Sequence, residues 1–113
     1  KLPDPNQIGN SGSFFKNPVI STDLYQQLQQ KYPDIVGYTV SETEVKVAAG
    51  WLIDRAGWKG HRRGDAGIHE HHALVLVNYG NATGEALRRL SQDVQQSVLE
   101  TFGIALENEV NIV

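Results

Sequence analysis

The 113-residue chain contains no cysteine and no methionine. Without cysteine there is no disulfide framework, no thiolate nucleophile and no thiolate metal ligand, and redox evidence leaves the compartment open. Long apolar runs are missing too. Nothing approaches the ~20 residues a membrane-spanning helix needs, and no stretch has the charged–apolar–small order of a secretory leader. An excess of positive charge is also absent. Ten Lys and Arg against thirteen Asp and Glu give a formal net charge of −3, which offers no footprint for nucleic acid. Three catalytic signatures are lacking as well. There is no G-x-x-x-x-G-K-[ST], the spacing of Gly9 and Gly12 does not make G-x-G-x-x-G, and neither Ser11 nor Ser13 has the flanks of a G-x-S-x-G elbow.

What remains is the composition of an ordinary soluble domain, 40% hydrophobic and 20% charged, long enough for one modest core. One stretch stands apart, from Gly9 through Asn10, Ser11, Gly12, Ser13, Phe14, Phe15, Lys16 and Asn17 to Pro18. Its glycines permit backbone angles and close approaches that a side chain forbids. Its hydroxyl and amide groups can hydrogen-bond, and the two adjacent rings can anchor it. It reads either as a turn entering an edge strand or as a rigidly held site.

The rest of the chain alternates between the two periodicities. Lys1 to Pro18 should be extended or looped, and Val19-Ile20 is a short apolar pair. Ser21-Thr22-Asp23 is an N-cap cluster for a helix with Leu24, Tyr25 and Leu28 on one face, ended by Pro33 near Lys31. Tyr38 to Val47 alternates as a hairpin around Ser41–Glu44, and Ala48 to Ala56 is a short buried helix stopped by Gly57, with Trp51 in the core. Trp58 to Gly67 is a basic loop, and Ile68–His72 and Ala73–Asn78 are strand-like. Thr83 caps the longest helix, which carries Leu87, Leu90, Val94 and Val98 to about Phe102 before Gly103. A last strand is expected over Ile104 to Val113, with Glu107 and Glu109 on one side. The fold class is α+β, a small mixed or antiparallel sheet with helices packed on one face.

Several residues invite chemistry. In a strand, His69 and His71 would share a face, but His69-Glu70-His71-His72 is not H-E-x-x-H and no clear third ligand follows, so no metal site is expected. Ser13 as a hydrolase nucleophile lacks an identifiable base and orienting carboxylate. Lys59, His61, Arg62 and Arg63 are either a solvated loop or neighbours of a diphosphate.

The run from Gly9 to Pro18 closely resembles the signature opening the C-terminal domain of the UDP-N-acetylenolpyruvoylglucosamine reductase (MurB) family. Further blocks match in the same order: Lys1–Pro5, Ala48–Asp54, Ala73–Asn78, and Leu106–Val110 in place of the family's Leu-Glu-Pro-Glu-Val. The resemblance implies an NADPH-dependent FAD enzyme of peptidoglycan synthesis in the cytoplasm, converting UDP-N-acetylenolpyruvoylglucosamine to UDP-N-acetylmuramate. Residues 1–113 would be its C-terminal substrate-binding domain. The chain begins at Lys1 without an initiator methionine, so it is expected to continue upstream into the N-terminal part, which would bind FAD and supply the enolate-stabilising arginine. In the family the reduced flavin gives hydride to the outer carbon of the enolpyruvyl double bond, and the inner carbon is then protonated.

Matched residue by residue, Ser13 stands at the family's proton donor and Glu109 at its active-site glutamate. Glu107 is the natural misassignment for Glu109, and the pattern alone does not separate them. Lys1 matches a substrate-contacting lysine, with the diphosphate as its expected partner, and Asn17 a substrate-binding amide. His72 stands where the family commonly has a substrate-touching glutamine, and Ser11 replaces a frequent alanine. The alternative from another class is a non-catalytic nucleotide-sugar-binding or protein-interaction module of the same fold.

Overall fold

The computed structural model describes residues 15–108. Three strands and two helices make the first half. Strand β1 (Val19–Ser21) runs into helix α1 (Thr22–Lys31), where the Ser21 hydroxyl accepts the N–H of Leu24 at 3.1 Å. Leu28 is the helix's buried residue, and Tyr25 reaches past it to donate its hydroxyl to the carbonyl of Ile35. The hairpin of β2 (Gly37–Thr39) and β3 (Glu44–Val47) follows, and β1 adds to the free side of β3, giving the antiparallel order β1-β3-β2. Val45 and Val47 point inward while Glu44 and Lys46 face water, as the period of two requires.

Helix α2 (Ala49–Arg55) buries Ala49, Leu52 and Ile53 and ends before Gly57, whose φ of 92° a side chain would resist. The second antiparallel sheet then forms from β4 (Arg62–Arg63), β5 (Ala66–Ile68) and β6 (Leu76–Asn78), in that order. Helix α3 (Gly84–Phe102) starts at Thr83, whose hydroxyl accepts the N–H of Ala86, and stops at Gly103 in the left-handed conformation. Its Leu90, Val94 and Val98 are fully buried. α1 packs against β1 and β3, whereas α3 packs against β5, β6 and α2. Tyr32, Trp51 and Phe102 knit the ends of all three helices, with ring centroids 5.2–5.9 Å apart.

The fold is α+β with antiparallel pairing, as expected, and its strands divide between two sheets. Three local expectations change. The basic loop contains β4, paired with β5 through Arg62↔Gly67 and Arg63↔Ala66. The strand expected at Ile68–His72 is Ala66–Ile68 instead, because the chain bends at His69, and the following strand begins only at Leu76. Residues 104–107 are not a strand. Among the described residues, this segment meets the chain at Phe15 and Lys16 through an antiparallel bridge, Phe15↔Asn108, and a hydrogen bond from Lys16 N–H to the Glu107 carbonyl at 2.8 Å.

Candidate functional site

A pocket of about 510 Å³ opens between the first turns of α2, Lys59 and the bend from His71 to Val75. α2 contributes Gly50, Trp51 and Asp54, and the bend contributes His72. Lys59 Nζ lies 3.8 Å from Asp54 Oδ2, with both side chains partly exposed. Such a pair contributes at most about 1 kcal/mol, so Lys59 is available to a stronger anionic partner. The neighbouring arginines are committed elsewhere. Arg63 pairs with Asp93 at 2.7 Å, and Arg62 pairs with Asp65 while stacking 3.9 Å from the Tyr79 ring centroid. Of the basic stretch, Lys59 is therefore the residue that faces the pocket, a selection its sequence neighbours gave no means to make.

Asn17 sits at the other side of the same helix start. Ala48 offers no capping side chain to α2, and Asn17 Oδ1 takes that role by accepting the N–H of Ala49 at 2.9 Å. Asn17 also lines a second pocket of about 280 Å³ with Lys16, Pro18, Val19, Ala105 and Glu107. The structure thus brings Asn17 and His72 to the beginning of α2 but onto different pockets. Glu107 is exposed and pairs with Lys16 at 3.9 Å.

His69 does not share a strand face with His71. Its Nδ1 turns back to accept the N–H groups of His71 and His72, at 3.0 and 3.2 Å. Among the described residues no group of three or more His, Cys, Asp or Glu is arranged to hold a metal ion. Lys1, Ser13 and Glu109 lie outside the described residues, as does Ser11. What the structure does give is the pairing of the segments that continue into two of them. Phe15, buried to 1% exposure, bridges to Asn108, so the chain just after Ser13 and the chain just before Glu109 run side by side.

The family model for the C-terminal domain of UDP-N-acetylenolpyruvoylglucosamine reductase matches residues 4–113. The chain belongs to this reductase family. Among its relatives, the UDP-N-acetylenolpyruvoylglucosamine reductase of Flavobacterium johnsoniae is 59% identical over 113 residues, all of this chain and 34% of the relative. The reductases of Pseudomonas putida and Pseudomonas aeruginosa are 53% and 51% identical over 112 residues, 99% of this chain and 33% of each relative. The chain therefore spans about a third of the length of the curated relatives it matches.

In this reductase-family domain the larger pocket leaves no Trp, Tyr or Phe ring unengaged for a flavin to stack on. Trp51, the aromatic ring on the wall of the larger pocket, is engaged by Tyr32 and Phe102. The polar groups of that pocket are an ammonium, a carboxylate and two imidazoles. Lys59 and the imidazoles can meet phosphate oxygens, Asp54 can hold Lys59, and Trp51, Ala73, Leu74 and Val75 form the apolar part of the wall.

Proposed function

We propose that this chain is the C-terminal, substrate-binding domain of an NADPH-dependent, FAD-containing reductase that converts UDP-N-acetylenolpyruvoylglucosamine to UDP-N-acetylmuramate in the cytoplasm. The observation that carries the reading is 59% identity over the whole chain to a protein of that name. The pocket at the start of α2, with Lys59 and His72 on its wall, supports it, because a cation and imidazole nitrogens suit a nucleotide sugar's diphosphate. The redox chemistry of FAD and NADPH belongs, on this reading, to the remaining two thirds of the protein.

This chain's own contribution is binding and a proton. Once hydride has added to the outer enolpyruvyl carbon, negative charge resides on the inner carbon and its carboxylate. Ser13 Oγ–H forms the new C–H bond at the inner carbon, and the serine recovers its proton from solvent. An enolate carbon is basic enough to take a proton from a neutral hydroxyl, so no lowered pKa is required of Ser13. Glu109 handles the carboxylate charge as a protonated acid or through a hydrogen bond. Lys1, Asn17 and His72 bind the substrate, Lys1 toward its diphosphate.

Ser13→Ala in the full-length enzyme tests this. Reduction of FAD by NADPH should stay near wild type, while reoxidation by the enolpyruvyl substrate should slow by about 10²–10⁴-fold, the range for losing a positioned general acid. Ser13→Cys should recover part of the rate. Stopped-flow flavin absorbance follows both half-reactions. Normal reoxidation in Ser13→Ala but slow reoxidation in Ser11→Ala would move the donor to Ser11, and normal rates in both would remove the proton-delivery role from the loop.

A further inference from the structure

The chain leaves β5 at Ile68 and returns as β6 at Leu76, so it must reverse within seven residues. The His69 ring organises the reversal. One nitrogen, Nδ1, accepts two successive backbone N–H groups, those of His71 and His72. Backbone bonds close the same bend, from His69 N–H to the Val75 carbonyl and from Val75 N–H to the His72 carbonyl, both at 2.9 Å. Ala73 packs inward at 6% exposure, and the His69 and His72 rings lie 4.9 Å apart. His71 and His72 are thereby set on the wall of the pocket that Lys59 and Asp54 share.

An imidazole that accepts at Nδ1 carries its proton on Nε2. Replacing that nitrogen by carbon would leave two adjacent N–H groups without their acceptor, and the bend would lose the contacts that choose its shape. We propose that His69 is the positioning residue of this pocket: its Nδ1 fixes the bend that presents His72, and through His72 it sets the affinity for the nucleotide-sugar substrate. The inference rests on the reading of His72 as a substrate contact. It adds a residue whose role is exerted through the backbone and not by touching substrate.

The test uses the full-length enzyme and UDP-N-acetylenolpyruvoylglucosamine. Loss of a neutral hydrogen-bonded contact corresponds to roughly a threefold to tenfold effect, so His69→Ala should raise KM by about that factor, with kcat changed far less. His69→Asn places an amide oxygen near the former Nδ1 and should return KM to within about twofold of wild type, because the bend needs an acceptor and not a ring. A merely structural ring would not be rescued this way. His72→Ala should raise KM similarly, and the double variant His69→Ala/His72→Ala should add little beyond it, since both act through one contact. Hydrogen exchange across residues 69–75 should accelerate in His69→Ala and be restored in His69→Asn.

Several outcomes would overturn the proposal. Normal KM in His69→Ala alongside a raised KM in His72→Ala removes His69 from the site. Failure of the asparagine rescue shows that the ring, not its acceptor, matters, and additive effects in the double variant show that His69 acts separately from His72. Normal KM in His72→Ala refutes the substrate reading of His72 itself. In that case accelerated exchange in His69→Ala still identifies the bend as dependent on Nδ1, which separates the two failures.

Discussion

Asn17 carries two duties on one amide group. Its oxygen caps α2 by accepting the Ala49 N–H, and its nitrogen is the half that the proposed substrate contact requires. Asn17→Asp separates them. A carboxylate still accepts the Ala49 N–H, and negative charge is favourable beside the N–H groups that open a helix. Thermal stability should therefore hold, while KM for the nucleotide sugar should rise, because a carboxylate cannot donate that hydrogen bond and repels an anionic substrate. Asn17→Leu should lose both properties, with stability falling by about 1–2 kcal/mol from the missing cap. Melting curves and steady-state KM for the pair of variants decide it, and an unchanged KM in Asn17→Asp would confine Asn17 to the helix cap. Sequence reading reached Asn17 by resemblance to a binding residue and missed the cap, whose partner lies 32 residues away. The caps it did find, Ser21 and Thr83, bond three residues ahead. His69 is the instructive exception. Its partners are only two and three residues on, yet Ile68–His72, placed against the apolar run of Ala73–Asn78, carries no Gly or Pro to mark the bend.

At the scale of elements, the helices were legible because their signals are local and redundant. α3 shows this best, with Thr83 at its start, Gly103 at φ 72° at its end, and an apolar stripe between them. Sheet pairing was less legible. The β2–β3 hairpin announces itself through a short polar turn, but the addition of β1 to β3 depends on two segments meeting across α1, which no periodicity encodes. β4, two exposed residues long, has no hydrophobic pattern to detect. The charge pattern of α3 does yield a testable consequence. Glu85 lies in its first turn and contacts both Arg88 and Arg89. The hydrogen bond from Arg88, then that from Arg89, with their charges in support, hold its carboxyl below the ordinary value of 4.5. A folded-state value below the unfolded one means that this contribution is complete above pH 4.5 and is lost as acidification passes the lowered value. Glu85→Gln should therefore melt slightly below wild type at neutral pH, and the gap should close as the pH is taken under 4.5. A gap that widens on acidification would mean that the Arg88 and Arg89 contacts do not lower the carboxyl's pKa.

For the molecule as a whole, the proposed division of labour between this chain and an FAD-binding part is the point at issue. The core is continuous from Phe15 through Val47, Leu52, Ile68 and Leu90 to Leu106, so both sheets and all three helices share one apolar interior. A domain with that interior can present a surface to a cofactor held elsewhere without enclosing the cofactor itself. The larger pocket offers the Lys59 ammonium to a phosphate, and its indole ring is already packed against Tyr32 and Phe102. Titrating FAD against the isolated 113-residue chain should accordingly give no saturable change in flavin fluorescence, whereas the full-length enzyme should give one. A melting curve recorded on the same sample establishes that the chain is folded, so a flat titration reports the absence of a flavin site and not an unfolded polypeptide. Binding by the isolated chain with a dissociation constant of about 1 μM would correspond to about −8 kcal/mol, far more than a few exposed charges supply. That result would place a flavin site within these residues and reverse the assignment of FAD to the other two thirds. The converse titration, with UDP in place of FAD, locates the substrate's share. A heat signal that grows when salt is lowered and disappears in Lys59→Ala would assign the diphosphate to the pocket at the start of α2. A signal indifferent to both would leave that pocket without a role in nucleotide binding.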